Sequence, residues 1–254
     1  MTQRHALRAQ RVVVKVGASV LTDAKGRLLP QRMAQLVEEI AAAHRARRQL
    51  IVVSSGAIAC GMAQLGIAPR PTALAQLQAC AAVGQGELMH RYTTLFAEHG
   101  VLTAQVLLTQ DDLSQDARLR NTKQTLLTLL HRRVVPIVNE NDTVSVEEIT
   151  FGDNDRLAAY VACAVEAQLL VILSDVDGFL KDGKPLARVQ SVTRLYSSVK
   201  PGTRHTTKGG MASKLDAARI VGRRGISMIL ANGTMAGVVT HAVSGRQVGT
   251  RFAP

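Results

Sequence analysis

The run Val134-Val135-Pro136-Ile137-Val138 leads directly into Asn139-Glu140-Asn141-Asp142, and this junction sets the fold class that the rest of the chain must fit. A short β-branched run is typical of a buried strand, so the four polar residues should emerge at its carboxyl end. In open α/β sheets, ligands bind at that edge. We therefore predict a polar binding site here; the alternative is a simple turn at Asn141-Asp142.

A second polar segment, Gly152-Asp153-Asn154-Asp155, opens an amphipathic helix. The helix is indicated by apolar residues at helical spacing, namely Leu157, Val161, Ala164 and Val165. The amides and acids of the segment therefore lie beside the positive end of a helix. Together the two segments can bind one small polar molecule; the alternative is that Asp153 or Asn154 only caps the helix.

The apolar pattern alternates between strand-like and helix-like periods along the whole chain, which is typical of βα units. It predicts strands at 12–16, 50–53, 101–108, 134–138, 169–173 and 226–230, and helices at 33–40, 72–98, 112–132, 154–166 and 210–224. Near-continuous apolar strands indicate a three-layer α/β/α sandwich with a mainly parallel open sheet. We expect β-hairpin arms at 143–151 and 178–189, and a mobile loop at 200–210.

Length and composition bound the class of protein. A chain of 254 residues with 46% hydrophobic content can bury a sizeable core, and we predict a flexible segment at 1–10 followed by a single domain at 11–254. The sequence has neither an apolar run near the ~20 residues of a membrane span nor a hydrophobic signal stretch at its start, which predicts a cytoplasmic location and no membrane contact. Cys60, Cys80 and Cys163 are predicted to be reduced core thiols. The scattered histidines show no metal-ligand spacing, so no protein-bound metal is assigned.

The net charge of +12 raises the question of nucleic-acid binding. Aromatic residues make up only 3% of the chain and Trp is absent, so few side chains can stack on bases. The basic clusters at 45–48, 132–133 and 223–224 fall near predicted helix C-termini, where cations complement the helix dipole. We therefore predict no nucleic-acid partner and interpret the charge as an affinity for anionic substrates.

Three glycine-containing junctions between elements are candidate anion sites. They are Lys15-Val16-Gly17-Ala18-Ser19, Val53-Ser54-Ser55-Gly56-Ala57-Ile58 and Lys208-Gly209-Gly210-Met211-Ala212-Ser213-Lys214. Each also has a purely structural interpretation, as a solvated lysine, a helix cap or a helix-surface charge. The chain contains no Gly-x-x-x-x-Gly-Lys-Ser/Thr motif, so nucleotide binding here would not use a P-loop.

In their order along residues 11–252, these segments resemble the amino-acid kinase family. The resemblance also rests on Ala81-Ala82-Val83-Gly84-Gln85, Ser174-Asp175-Val176-Asp177-Gly178 and Gly249-Thr250-Arg251-Phe252. The Asn-Glu-Asn-Asp and Gly-Asp-Asn-Asp pair is most similar to the branch of the family that phosphorylates L-glutamate. The resemblance therefore implies transfer of a phosphoryl group from ATP to the γ-carboxylate of L-glutamate, the first step of proline biosynthesis, with Mg²⁺ held mainly by ATP and water.

The resemblance also assigns roles to single residues. It implies that Lys15, Lys214 and Asp155 are catalytic. It implies that glutamate is bound by Ser55, Gly56, Ala57, Asn139, Asp142 and Asn154. It implies that the part of the chain from about residue 168 binds ATP, and that the ATP-binding residues are Lys15, Gly17, Ser174, Asp175, Lys208, Gly209, Gly210, Met211, Ala212, Ser213 and Lys214.

Three positions depart from the family pattern on the nucleotide side. Ala18 replaces a common hydroxyl residue, Thr207 replaces Gly and Lys208 replaces Thr, so the loop carries more charge and less freedom. The resemblance further predicts a short form without the small C-terminal RNA-associated domain of many members. It implies a homotetramer or homodimer and feedback inhibition by proline. The Ala-rich stretch 72–84 is either an oligomer face or an internal helix pair, and we favour the interior.

Two alternative functions remain open. Other family members act on N-acetylglutamate, aspartate, carbamate or UMP; we place N-acetylglutamate below glutamate because a buried Asp142 rewards a free α-ammonium group. An alternative of a different class is a non-catalytic protein that senses an amino acid or binds RNA. The presence of Lys15, Asp155 and Lys214 argues against it.

Overall fold

A computed structural model describes residues 9–23, 25–145, 154–181, 183–192, 195 and 210–254. In these residues an eight-stranded sheet has the strand order β3-β4-β2-β1-β5-β9-β10-β8. The strands are β1 Arg11–Val16, β2 Gln49–Ser54, β3 Thr103–Leu108, β4 Val135–Glu140, β5 Leu169–Ser174, β8 Arg188–Val189, β9 Ser227–Asn232 and β10 Thr250–Phe252. The first six strands of this order are mutually parallel, and β10 runs antiparallel to β9.

The described helices are α1 Ala18–Leu21, α2 Pro30–Arg45, α3 Ala57–Leu65, α4 Leu74–Glu98, α5 Gln110–Ser114, α6 Asp116–His131, α7 Asn154–Ala164, α8 Met211–Gly222 and α9 Val238–Ser244. They cover both faces of the sheet. Successive strand residues point to opposite sides, so each central strand contributes to two cores. Val12 and Val14 join a core with residues of α2, α4 and α9. Val13 joins a second core with residues of α6, α7 and α8. The predicted three-layer α/β/α sandwich with a mainly parallel sheet is confirmed.

All six predicted strands are present, and the predicted helices differ in one place. The single helix expected at 112–132 is two helices, because Thr109 and Asp112 form a capping box that starts α5 and Gln115 is extended between α5 and α6. The short elements α1, β8, α9 and β10 were not predicted.

The two predicted hairpin arms have different outcomes. In the arm at 178–189, β6 Leu180–Lys181 pairs antiparallel with β7 Lys184–Pro185, which confirms a hairpin there. Of the arm at 143–151, residues 143 and 144 belong to a turn over 142–144, and 146–151 lie outside the described residues. The loop predicted at 200–210 also lies outside them, apart from Gly210.

Several expectations from composition can be compared with the described residues. Cys60 and Cys80 are buried, Cys163 is half-buried and all three are free thiols, as predicted. The clusters containing Arg45, Arg132 and Arg223 lie at the C-terminal ends of α2, α6 and α8, also as predicted. Within the described residues, every helix is too short or too polar to cross a membrane.

The longest helix, α4, has one buried face and one exposed face. One face packs so closely on α3 that a Cβ atom at Gly61 would lie 1.8 Å from the carbonyl oxygen of Cys80, and one at Gly84 would lie 1.9 Å from that of Ala57. The opposite face is exposed and includes Ala79, Ala82 and Val83. The stretch 72–84 therefore does form an internal helix pair, as favoured, and also leaves a small-residue face open.

Gly84→Ala and Gly86→Ala form a matched pair within α4. At Gly84 the added methyl group meets backbone atoms of α3, so we expect the free energy of unfolding to fall by about 1–3 kcal/mol or more. At Gly86 the same Cβ would meet no atom within 4 Å, so we expect a gain of about 0.5–1 kcal/mol from helix propensity. Urea denaturation measures both; equal effects at the two positions would contradict the packing described here.

Candidate functional site

A cavity of about 730 Å³ opens at the carboxyl ends of the central parallel strands. Its lining includes Lys15 from β1, Ser55 after β2, Asn139 from β4 and Ser174 from β5. This is the sheet edge at which open α/β folds bind ligands. A larger cavity of about 1070 Å³ opens near the amino ends of β5 and β9 and contains none of the predicted site residues.

At the floor of the site, one buried carboxylate lies between two buried ammonium groups. Lys15 Nζ is 2.6 Å from Asp155 Oδ1, and Lys214 Nζ is 3.1 Å from Asp155 Oδ2. The hydroxyl of Ser213 donates a further hydrogen bond of 3.0 Å to Oδ2. These side chains come from the end of β1, the first turn of α7 and the first turn of α8, so three segments far apart in sequence converge on one point.

The charge balance of this triad fixes its protonation. Burial alone would raise the pKa of Asp155, but the charges of Lys15 and Lys214 and their hydrogen bonds outweigh burial and hold the pKa below its ordinary value. Asp155 is therefore ionised at neutral pH and serves as an anchor for the two cations. The triad carries a net charge of about +1, from two ammonium groups and one carboxylate, next to a ligand-sized cavity.

Side-chain amides form a second network beside the triad. The two N–H donors of Asn154 Nδ2 face three acceptors, the Ser54 carbonyl, Ser55 Oγ and Asn139 Oδ1, each 2.9 Å away, so one N–H is shared between two of them. Asn139 Nδ2 in turn donates to Gln85 Oε1 at 2.7 Å. The network ties the ends of β2 and β4 to the start of α7, so the polar groups of Ser55, Asn139 and Asn154 have fixed positions in the cavity wall.

The start of α3 forms the wall next to Ser55. Gly56 and Ala57 line the cavity, and Gly56 has a left-handed φ of 113° that a residue with a side chain rarely adopts. The first N–H groups of a helix have no partners inside it, so they are available to an anion. Asp142 also lines the cavity and contributes a carboxylate to it.

The predicted nucleotide-side residues divide into three groups. Gly17, Ser174, Asp175, Gly210, Met211 and Lys214 line the cavity. Ser213 turns its hydroxyl toward Asp155 and Gly210, and Ala212 is not among the lining residues. Lys208 and Gly209 lie outside the described residues. A Cβ at Gly17 would lie 3.1 Å from the Leu173 carbonyl oxygen, so this junction favours glycine.

Sequence reasoning gave no role to Gln85 and Arg70, which lie at the site. Gln85 belongs to a quoted motif, but nothing in its spacing indicates that it orients Asn139. Arg70, in the connection between α3 and α4, lines the cavity, and its Nε atom is buried without a hydrogen-bond partner in the described structure. Burial lowers the pKa of Arg70, while the charge of Asp142 acts in the opposite direction. A lone arginine after a proline gives no sequence signal for such a position.

We expect Asp155→Asn to destabilise the protein strongly, because two buried ammonium groups lose their shared counter-charge. The free energy of unfolding should fall by about 3–5 kcal/mol at pH 7. The folded pKa of Asp155 is depressed, so its contribution is fully present above the unfolded pKa of about 3.9 and is lost only as the pH falls through the folded value.

Glu166→Gln is the matched control, since Glu166 forms an exposed ion pair with Lys123. It should change the stability by at most about 1 kcal/mol. Chemical denaturation of both variants between pH 4 and pH 7 measures the difference. Similar, small losses for the two variants would mean that Asp155 does not balance the two lysines.

Comparison with known proteins gives a consistent result. The model of the amino acid kinase family matches residues 10–232. The glutamate 5-kinase of Streptomyces coelicolor is 48% identical over 96% of this chain and 67% of its own length. Those of Geobacter metallireducens and Thermus thermophilus are each 45% identical, over 97% and 98% of this chain and 68% and 69% of their own lengths. The chain belongs to the amino acid kinase family.

Proposed function

We propose that this protein transfers the γ-phosphoryl group of ATP to the γ-carboxylate of L-glutamate, giving L-glutamyl 5-phosphate for proline biosynthesis. The observation that carries the proposal is the buried Lys15–Asp155–Lys214 triad at the floor of a polar cavity. The similarity to glutamate 5-kinases over nearly the whole chain supports the choice of acceptor.

The triad suits the electrostatic demand of this reaction. An attacking carboxylate is already ionised at pH 7, so no general base is required. Negative charge is instead concentrated on the transferring group and on the oxygens at either side of it, and catalysis depends on positioning and charge neutralisation. Lys15 and Lys214 supply two cations, and Asp155 holds them at a fixed separation by accepting from both. Asp155 thus acts through the lysines and not as a base.

The amide side of the cavity would bind glutamate. Asn139, Asn154 and Ser55 are pre-oriented by their mutual hydrogen bonds, which lowers the ordering cost of binding. Asp142 is the acidic residue suited to the α-ammonium group, and the backbone of Gly56 and Ala57 would add N–H donors. In this proposal the N-terminal part of the single domain binds the acceptor.

The remaining wall would bind the nucleotide, in the part of the chain from about residue 168. Gly17, Ser174, Asp175 and the start of α8 line it, and the segment 208–214 belongs to the same proposed site. The two oxygens of Asp155 are already shared among Lys15, Lys214 and Ser213, so Asp155 is a poor metal ligand. Phosphate charge would be reduced further by Mg²⁺ held by the nucleotide and water, with the protein supplying few ligands.

The deciding experiment measures ADP release from Mg-ATP with L-glutamate, N-acetyl-L-glutamate, L-aspartate, carbamate and UMP as acceptors. We expect turnover with L-glutamate, and a loss of about 10²–10³-fold or more in kcat for Lys214→Ala because a transition-state cation is removed. Lys123→Ala is the matched control: Lys123 pairs with Glu166 and lies outside this cavity, so its kcat should be unchanged.

Each other outcome of this panel has a definite meaning. Turnover of a different acceptor would preserve the phosphoryl-transfer site and replace the proposed glutamate pocket. Absence of turnover with every acceptor would favour the non-catalytic alternative, for which salt-sensitive RNA binding would be direct support.

Three further properties belong to the proposal. We expect a homodimer or homotetramer. The exposed small-residue face of α4, with the exposed Leu107 of the edge strand β3 near it, supports this expectation. Sedimentation that finds only monomer would contradict it. We expect proline to compete at the glutamate site, and turnover unaffected by excess proline would remove that one. An ATP-dependent biosynthetic step also predicts a cytoplasmic location, which cell fractionation can check.

A further inference from the structure

Three basic side chains line the cavity within the described residues: Lys15, Lys214 and Arg70. Two of them share Asp155 and are accounted for by the triad. Arg70 comes from the connection between α3 and α4, and Asp142, not Asp155, is the carboxylate whose charge acts on it. Arg70 and Asp142 both line the cavity, and the proposed function assigns Asp142 to the acceptor side.

Arg70 is a half-buried cation in the cavity wall. A guanidinium has five N–H donors, and Arg70 makes no hydrogen bond with any residue that the structure describes. Its Nε is withdrawn from water, and burial lowers the pKa of the group. A partly desolvated cation without acceptors is unfavourable by itself, and a bound anion would remove that penalty.

The neighbourhood of Arg70 specifies which anion fits. Asp142 and Arg70 line the same cavity, and the charge of Asp142 acts on Arg70, so the cavity presents one carboxylate and one guanidinium to a ligand. The α-carbon of an amino acid carries the complementary pair, an ammonium group and a carboxylate. We propose that Arg70 binds the α-carboxylate of the acceptor and is a specificity-determining residue. This inference rests on the proposed function.

The arrangement divides the recognition of the acceptor between two residues. Asp142 binds the free ammonium group. Arg70 binds the free α-carboxylate through two parallel N–H donors. N-acetyl-L-glutamate keeps the group that Arg70 binds and loses the one that Asp142 binds. L-isoglutamine has a carboxamide of the same size in place of the α-carboxylate. It therefore keeps the group that Asp142 binds and loses the one that Arg70 binds.

The test is a cycle of two enzymes and two acceptors, the wild type and Arg70→Met with L-glutamate and L-isoglutamine. We expect Arg70→Met to lower kcat/KM for L-glutamate by about 30- to 300-fold, chiefly through KM, with the KM for ATP unchanged. With L-isoglutamine the same substitution should change kcat/KM by less than about threefold, since no charged contact is lost. Arg70→Lys should recover part of the activity with glutamate.

Arg120→Met, which removes an exposed arginine from α6, is the control and should match the wild type. Equal losses with both acceptors would overturn the proposal and assign Arg70 a structural role, and so would an unchanged KM for glutamate. Thermal-shift titration separates failure of this inference from failure of the proposed function. If wild type binds glutamate without turnover, only the reaction is wrong, and Arg70→Met must still weaken glutamate binding. If wild type does not bind glutamate, both ideas are wrong.

Discussion

The structure around the site depends on one electrostatic constraint, the sharing of a single buried carboxylate by two buried ammonium groups. Burying an ion costs free energy unless it is paired, and an unpaired lysine at this depth would lose its proton or draw water inside. Asp155 removes the problem for Lys15 and Lys214 together. The arrangement keeps two positive charges in a buried location at the cavity without neutralising both, which is the state that a site for crowded anions requires.

This constraint also determines how the surrounding elements must meet. The carboxylate reaches the end of β1 only because α7 begins at Asn154, and the amide of Asn154 is held by β2 and β4 through Ser54 and Asn139. The close contact of α3 with α4 sets the position of Ala57, and Gln85 from the same α4 reaches Asn139. One helix therefore supports the acceptor side of the cavity at two points, by packing and by hydrogen bonding.

Most of the fold was predictable from local patterns, and the exceptions have physical causes. Runs such as that of β1 are buried on both faces, so their composition alone indicates a central parallel strand. The two- and three-residue strands β8 and β10 are too short to show a period, and the break between α5 and α6 depends on a capping box inside a helix-like pattern. At the site, the motifs located the polar segments. The convergence of Lys15, Asp155 and Lys214 was indicated only by the resemblance, because no local rule connects residues that lie 140 and 199 positions apart. Gln85 and Arg70 were missed because a polar residue in a helix or loop is usually solvated.

The strand order has a consequence for how the chain folds as it is synthesised. The strands β3, β4, β2 and β1 form one contiguous half of the sheet and are complete once residue 140 has been made. The partner on the other side of β1 is β5, which begins at Leu169. Until then the apolar edge of β1, with Val12, Val14 and Val16, has unpaired backbone groups in a β-branched segment, the kind of edge that recruits foreign strands. The nascent protein is thus vulnerable to aggregation at β1, a strand that ends up in the middle of the sheet. Rapid pairing of β5 with β1 removes the exposed edge.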